Sequence, residues 1–151
     1  MINLIYNFSN ITCKSAHLIN LNKGNNRNFI HNLTFVAMEM KEDVINRWWK
    51  LQAKLMETFG RKPDLETVLY LIGIQEAGLE QNEYSKEEKQ DLMHIGICTV
   101  LSSSGYYILN GNDEDGWPHF TQLKELPVMN PIEQEDFIKD HVLLYFEQIN
   151  Y

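Results

Sequence analysis

The chain has little of what several protein classes require. It has only two cysteines, Cys13 and Cys98, and no CxxC pair. A zinc ribbon, an iron–sulfur cluster and a thioredoxin motif therefore lack their ligands. Neither GxGxxG nor GxxxxGK occurs, so no glycine-rich phosphate loop is present. GxSxG is missing, and Ser102-Ser103-Ser104 before Gly105 is ordinary helix-end chemistry rather than a nucleophile elbow. No run of about 18 apolar residues is available to cross a membrane. Positive charge is scarce: 13 Lys and Arg against 21 Asp and Glu give a net charge of −8. That balance disfavours nucleic acid and anionic membranes as partners, since both need excess cations to neutralise phosphate. The opening MINLIYNFSNITCK has no early basic region, and asparagines interrupt its apolar residues. It reads as no signal peptide, which places the protein in the cytoplasm.

What is present is a globular balance of 44% hydrophobic and 23% charged residues in 151 positions, enough for one domain. The composition breaks near residue 38. Residues 1–37 carry Lys14, Lys23 and Arg27 and no acid, and hold 9 of the 15 asparagines. The remainder carries all 21 acids. The first segment shows neither a 3.6 nor a 2.0 period, so a loosely ordered, non-globular extension is expected over 1–37 and a single folded domain over 38–151. Met38 and Met40 stand at the border, where translation of the natural protein is expected to start. The alternative is a basic arm on an acidic domain.

Four helices and one hairpin are predicted within 38–151. The first runs from about Glu39 to Phe59, with Val44, Trp48, Leu51, Leu55 and Phe59 at helical spacing and Ile45, Gln52 and Met56 beside them. Glu39, Glu42 and Asp43 suit its first turns, and Gly60 suits its end. The second begins around Pro63 and continues through Leu65, Val68, Leu69 and Ile72 to Gly78. The third opens on the capping box Ser85/Glu88 and carries Leu92, Met93, Ile97, Val100 and Leu101. Tyr106–Leu109 and Trp117–Leu123 flank the turn-rich NGNDEDG and predict a β-hairpin, with Pro118 confining its strand to an edge. Asn130, Pro131 and Glu133 start the fourth helix, which runs to about Glu147 with Ile132, Ile138, Val142, Tyr145 and Ile149 on one side. Gly73 and Gly96 lie inside the second and third helices, where each costs up to about 1 kcal/mol against alanine. At least one is expected at a helix–helix contact.

Two kinds of chemistry compete. Asp91 and His94 are three apart on a helix and share a face, and Glu76 and His141 would complete a mononuclear site for a divalent metal ion if the bundle brought them together. The bland reading is a solvated Asp91 and a hydrogen-bonded His94, with no cofactor. In GNDEDG, Asp113 and Asp115 fall on two ligand positions of a calcium loop, but Gly111 and Gln122 stand where two strong ligands belong, which favours a plain acidic turn. Cys98, in an apolar helical stretch, reads as a buried, inert thiol. The aromatic residues are the stronger feature. Trp48 and Trp49 are about 100° apart on a helix, so a narrow stripe cannot hide both. Tyr106, Tyr107, Trp117 and Phe120 gather around the hairpin. A surplus ring among these six would form a patch that binds another protein. The alternative is a core built of large rings.

The segments RWWKLQAKLMETFGRKPD, LYLIGIQEAG, YSKEEKQDLMHIGIC and GYYILNGNDEDGWPHF resemble an uncharacterised family of small acidic bacterial proteins with no assigned activity. The resemblance covers roughly Met40 to Glu147. It implies a bacterial cytoplasm and a late start, and no catalytic residue or cofactor. The reading from sequence is thus a mainly helical, acidic protein that contacts another protein, with a metal-dependent enzyme as the alternative.

Overall fold

The computed structural model describes residues 27–79 and 83–151, with the backbone alone for 27–37 and 40. Cys13 and most of the expected loose segment lie outside these residues. The chain divides into Met1–Thr34 and Phe35–Tyr151. The described residues form four helices and a two-stranded antiparallel hairpin between the third and fourth: α1 (Arg27–Phe59), which begins in the first unit, then α2 (Leu65–Ala77), α3 (Lys86–Ser102), β1 (Tyr107–Asn112), β2 (Pro118–Gln122) and α4 (Pro131–Gln148).

α1 starts at Arg27, well before the Glu39 expected from sequence. Glu39, Glu42 and Asp43 therefore lie inside the helix, where the charge at its first turn has no bearing on them. Gly60 ends α1 as anticipated, with φ 73° and its amide on the Met56 carbonyl at 2.8 Å. α2 begins two residues after Pro63. Asp64 is its N-cap, accepting from the Thr67 amide at 2.8 Å, because a side-chain oxygen there satisfies a donor that the helix leaves unpaired. Both remaining capping boxes form, Ser85 with Glu88 and Asn130 with Glu133.

The tightest contact joins α2 to α3. A Cβ on Gly73 would lie 1.8 Å from the Leu92 carbonyl oxygen, and one on Gly96 would lie 2.2 Å from that of Leu69. Both glycines are at the crossing, where backbone meets backbone. Trp48, Leu51 and Leu55 of α1, Val68, Leu69 and Ile72 of α2, Cys98, Val100 and Leu101 of α3, and Ile138, Val142 and Tyr145 of α4 form the main core. Ile132 and Ile149, assigned to the same side of α4, are instead exposed, because they sit at the helix ends beyond the reach of that core. A second cluster of Ala77, Leu92 and Ile95 is covered by Trp117 and Phe120 of the hairpin region.

Polar contacts fix α1 to α4. The Arg47 guanidinium lies 2.6 Å from Glu147 and 3.8 Å from Asp140, and Lys41 lies 2.9 Å from Asp136. The side of α1 turned inward is the one that carries Trp48, Leu51 and Leu55.

Candidate protein-interaction face

The six rings singled out from sequence separate sharply. Trp48 is 5% exposed and Tyr107 is buried, while Tyr106, Trp117 and Phe120 are half-buried. Tyr106 packs edge-on to Phe137 at 5.7 Å, and Lys124 covers its ring at 3.9 Å. Trp117 and Phe120 hold the hairpin down on α2 and α3. These five rings are engaged in packing, and among the six only Trp49, 60% exposed, faces solvent. The aromatic patch placed near the hairpin is therefore not an exposed cluster of rings. The physical reason is that the second helical cluster needs a lid, and the hairpin's large rings supply it. The hairpin's exposed large apolar residues are aliphatic: Ile108 and Leu109, with Leu123 just beyond β2.

Trp49 belongs to a different assembly. Met38, Ile45, Trp49, Met56 and Phe59 are all exposed on α1. At 100° per residue these five fall within about 80° of arc, forming one stripe about 32 Å long. The inward stripe of Val44, Trp48, Leu51 and Leu55 lies about 100° away round the helix by the same geometry. α1 is thus apolar on two faces, of which the core covers one. Gln52, on the outer stripe, is buried, and its amide donates to the Pro63 carbonyl at 2.6 Å, tying the α1–α2 turn along one edge. Phe59, assigned to the inward row from sequence, is 49% exposed and belongs to the outer stripe. The signal was present as adjacent apolar pairs, 44/45, 48/49 and 55/56, which a single buried stripe does not require.

Glu76 and His141, two of the four candidate metal ligands, have partners of their own away from Asp91 and His94. Glu76 Oε1 accepts from the Tyr145 hydroxyl at 2.7 Å. His141 is buried, with its Nδ1–H donated to the Phe137 carbonyl at 2.7 Å and its ring 4.3 Å from that of Phe137. His94 has one exposed side, and its Nε2 is 3.5 Å from Cys98 Sγ. Atoms crowding its other side push its pKa down, and the nearby charge of Asp91 opposes this without reversing it. Asp91 is exposed. Among the described residues, no three His, Cys, Asp or Glu side chains are grouped as a metal ion requires. The helix geometry does bring Asp91 and His94 together, but the bundle does not add Glu76 and His141 to them.

Cys98 is fully buried, and burial pushes its thiol up to about 12, a form that is not nucleophilic at neutral pH. Asn110–Asn112 of NGNDEDG, expected as turn, extend β1 instead, and the turn after them is organised by Asp113. Its Oδ1 accepts from the amides of Asp115 at 3.0 Å and Trp117 at 2.8 Å, and its Oδ2 lies 3.0 Å from His119 Nε2. The His119 contact and then these amides hold the Asp113 carboxyl below its ordinary pKa. One carboxylate thereby meets three hydrogen-bonding groups of its own hairpin.

No helix among the described residues is long and apolar enough to cross a membrane. No protein-family model, curated protein or solved structure matches this chain.

Proposed function

We propose that this protein is a protein-interaction module and that its contact face is the outer stripe of α1. The observation that carries this reading is the alignment of Met38, Ile45, Trp49, Met56 and Phe59, five large apolar side chains exposed on one side of one helix. Scattered apolar residues are normal on a protein surface, but a continuous row of them favours association. Trp49 and the two methionines give the row its character: a large ring as anchor, and flexible thioethers that adapt to an opposing surface. A ridge of this shape fits the apolar side of another amphipathic helix.

The test compares partners captured by the wild-type chain and by Met56→Glu. Met56 is half exposed, so the charge enters no core, and the thermal transition of the variant is expected to stay close to wild type. A partner retained by the wild type and lost by the variant supports the reading. A partner held equally by both overturns it.

A further inference from the structure

We propose that Asn110 is a site of spontaneous deamidation, which converts it to aspartate and isoaspartate and loosens the hairpin as the protein ages. Asn110-Gly111 is the one Asn–Gly step in the chain. The reaction starts when the amide nitrogen that follows an asparagine attacks the side-chain Cγ. Glycine, having no Cβ, leaves that nitrogen open to approach and the backbone free to turn. The structure adds three conditions. Asn110 is exposed and has no partner across the ladder, which sets Leu109 against Phe120 and Gly111 against His119. Gly111 has φ 115°, and a Cβ built on it would meet nothing within 4 Å, so no wall obstructs the ring that must form. The sheet has two strands among the described residues, so no third strand braces β1 from its other edge. Two contacts oppose the attack: the Asn110 side-chain amide donates to the Thr121 hydroxyl, and Gly111 faces His119. Both lie at the bulge, where the ladder is already disrupted and local opening disturbs the fewest bonds.

The other asparagines whose side chains are described are held more firmly. The Asp113 amide, next after Asn112, donates to the Trp117 carbonyl at 2.9 Å, inside the turn that the Asp113 carboxylate braces. The Tyr151 amide, next after Asn150, donates to the Phe146 carbonyl at 3.0 Å. Asn130 precedes Pro131, which has no N–H, and Asn46 lies inside α1.

Attack joins the Gly111 nitrogen to Asn110 Cγ. The carboxamide nitrogen leaves as ammonia with the proton of the attacking amide. Water then opens the cyclic imide. Opening at Cγ gives aspartate, and opening at the main-chain carbonyl gives isoaspartate, in which the chain runs through the side-chain carbons. No oxidant or cofactor takes part. Either product adds negative charge to a hairpin that carries Asp113, Glu114 and Asp115. Isoaspartate also puts one more atom into the main chain, so Gly111 and Asn112 no longer meet His119 and Pro118 in the present register. Trp117 and Phe120, which cover the Ala77, Leu92 and Ile95 cluster, thereby lose support.

Mass spectrometry of the folded full chain, held for weeks in warm, mildly alkaline buffer, tests this. Fragmentation is expected to place the conversion of amide to acid at Asn110, roughly tenfold faster than at Asn46, Asn112 or Asn150, because only Asn110 is followed by glycine. Two products of equal mass are expected, one of them methylated by an isoaspartyl carboxyl methyltransferase. Asn110→Gln is expected to abolish the reaction, since the longer side chain closes its ring far more slowly. The aged chain is expected to melt at a lower temperature than the fresh chain and than Asn110→Asp, which carries the charge without the added atom. Conversion in a urea-unfolded chain with none in the folded chain overturns the inference. So does conversion in the folded chain that is no faster at Asn110 than at Asn112. An aged chain that melts with the fresh one overturns the loosening.

Discussion

Gly73 of α2 and Gly96 of α3 face one another across the helix crossing: a Cβ on Gly96 would lie 3.3 Å from the Gly73 amide nitrogen, besides striking the Leu69 carbonyl. Each helix thus rests on the other's backbone. Either glycine changed to alanine forces carbonyl and methyl into the same space, and neither contact can be relieved by turning a side chain. Overpacking of this kind costs about 1–3 kcal/mol or more, offset only partly by the better helix propensity of alanine. Denaturant titration of Gly73→Ala and Gly96→Ala is expected to show losses at or above that range. A variant as stable as wild type would mean that the crossing is looser than described.

The two adjacent tryptophans are expected to respond in opposite ways. Trp48→Ala removes a ring from the core and is expected to cost about 3–5 kcal/mol. Trp49→Ala removes an exposed ring and is expected to change the stability of a single chain by less than about 0.5 kcal/mol. Equilibrium unfolding in urea, at concentrations low enough to keep the chain unassociated, separates the two.

Alkaline pH is expected to destabilise the fold. Burial holds Cys98 protonated up to about 12 against an ordinary 9.0, and burial, with Cys98 nearby, holds Tyr107 up to about 12 against 10.0. Both groups keep their protons more tightly when folded. Their contribution to stability is whole below the unfolded values and is lost as pH rises from about 9 towards 12, because the unfolded chain releases protons that the folded chain retains. Melting temperatures at pH 8 and pH 11 are expected to differ accordingly, with a smaller difference in Tyr107→Phe and in Cys98→Ala.

Tyr107→Phe is expected to do more than flatten that slope. The Tyr107 hydroxyl is buried and has no hydrogen-bond partner among the described residues. A buried polar atom without a partner costs about 1–3 kcal/mol, so removing it is expected to leave the protein as stable as wild type or more so at neutral pH. Tyr145→Phe supplies the contrast. Its hydroxyl donates to Glu76 at 2.7 Å, and its loss is expected to cost about 1.5–3 kcal/mol when the acceptor is charged. Urea titrations of both variants that moved in the same direction would contradict this assignment.

Much of the fold was readable in advance because its signals are local. Ser85 with Glu88, and Asn130 with Glu133, carry their partners three residues away, so helix starts at these points need no knowledge of the rest of the chain. The glycines inside α2 and α3 were legible for a similar reason, since a helix interior tolerates glycine at a cost that close contact explains. The facing of α1 was legible at Val44, Trp48, Leu51 and Leu55 and failed only at Phe59. Its rows 44/48/51/55 and 45/49/52/56 are nearly equivalent as patterns, and only the positions of α2 and α4 decide which one is buried. Phe59 was misassigned for that reason. The rings of the hairpin posed the same difficulty: Trp117 and Phe120 look available until the Ala77, Leu92 and Ile95 cluster is seen to need covering. The extension of α1 back to Arg27 was missed although Phe29, Leu33, Val36 and Met40 stand at helical spacing there, because the asparagine-rich residues before them hide that period when residues 1–37 are read as one segment.

The glycine crossing also bears on the order in which the molecule assembles. α2 and α3 follow one another in the chain, so bringing them together closes only a short loop, whereas α1 and α4 meet across most of the domain. Local contacts are made early in folding because they give up the least chain freedom. The α2–α3 pair is therefore the natural nucleus: substitutions at Gly73 or Gly96 would slow refolding, while those at Arg47 or Trp48 would chiefly hasten unfolding.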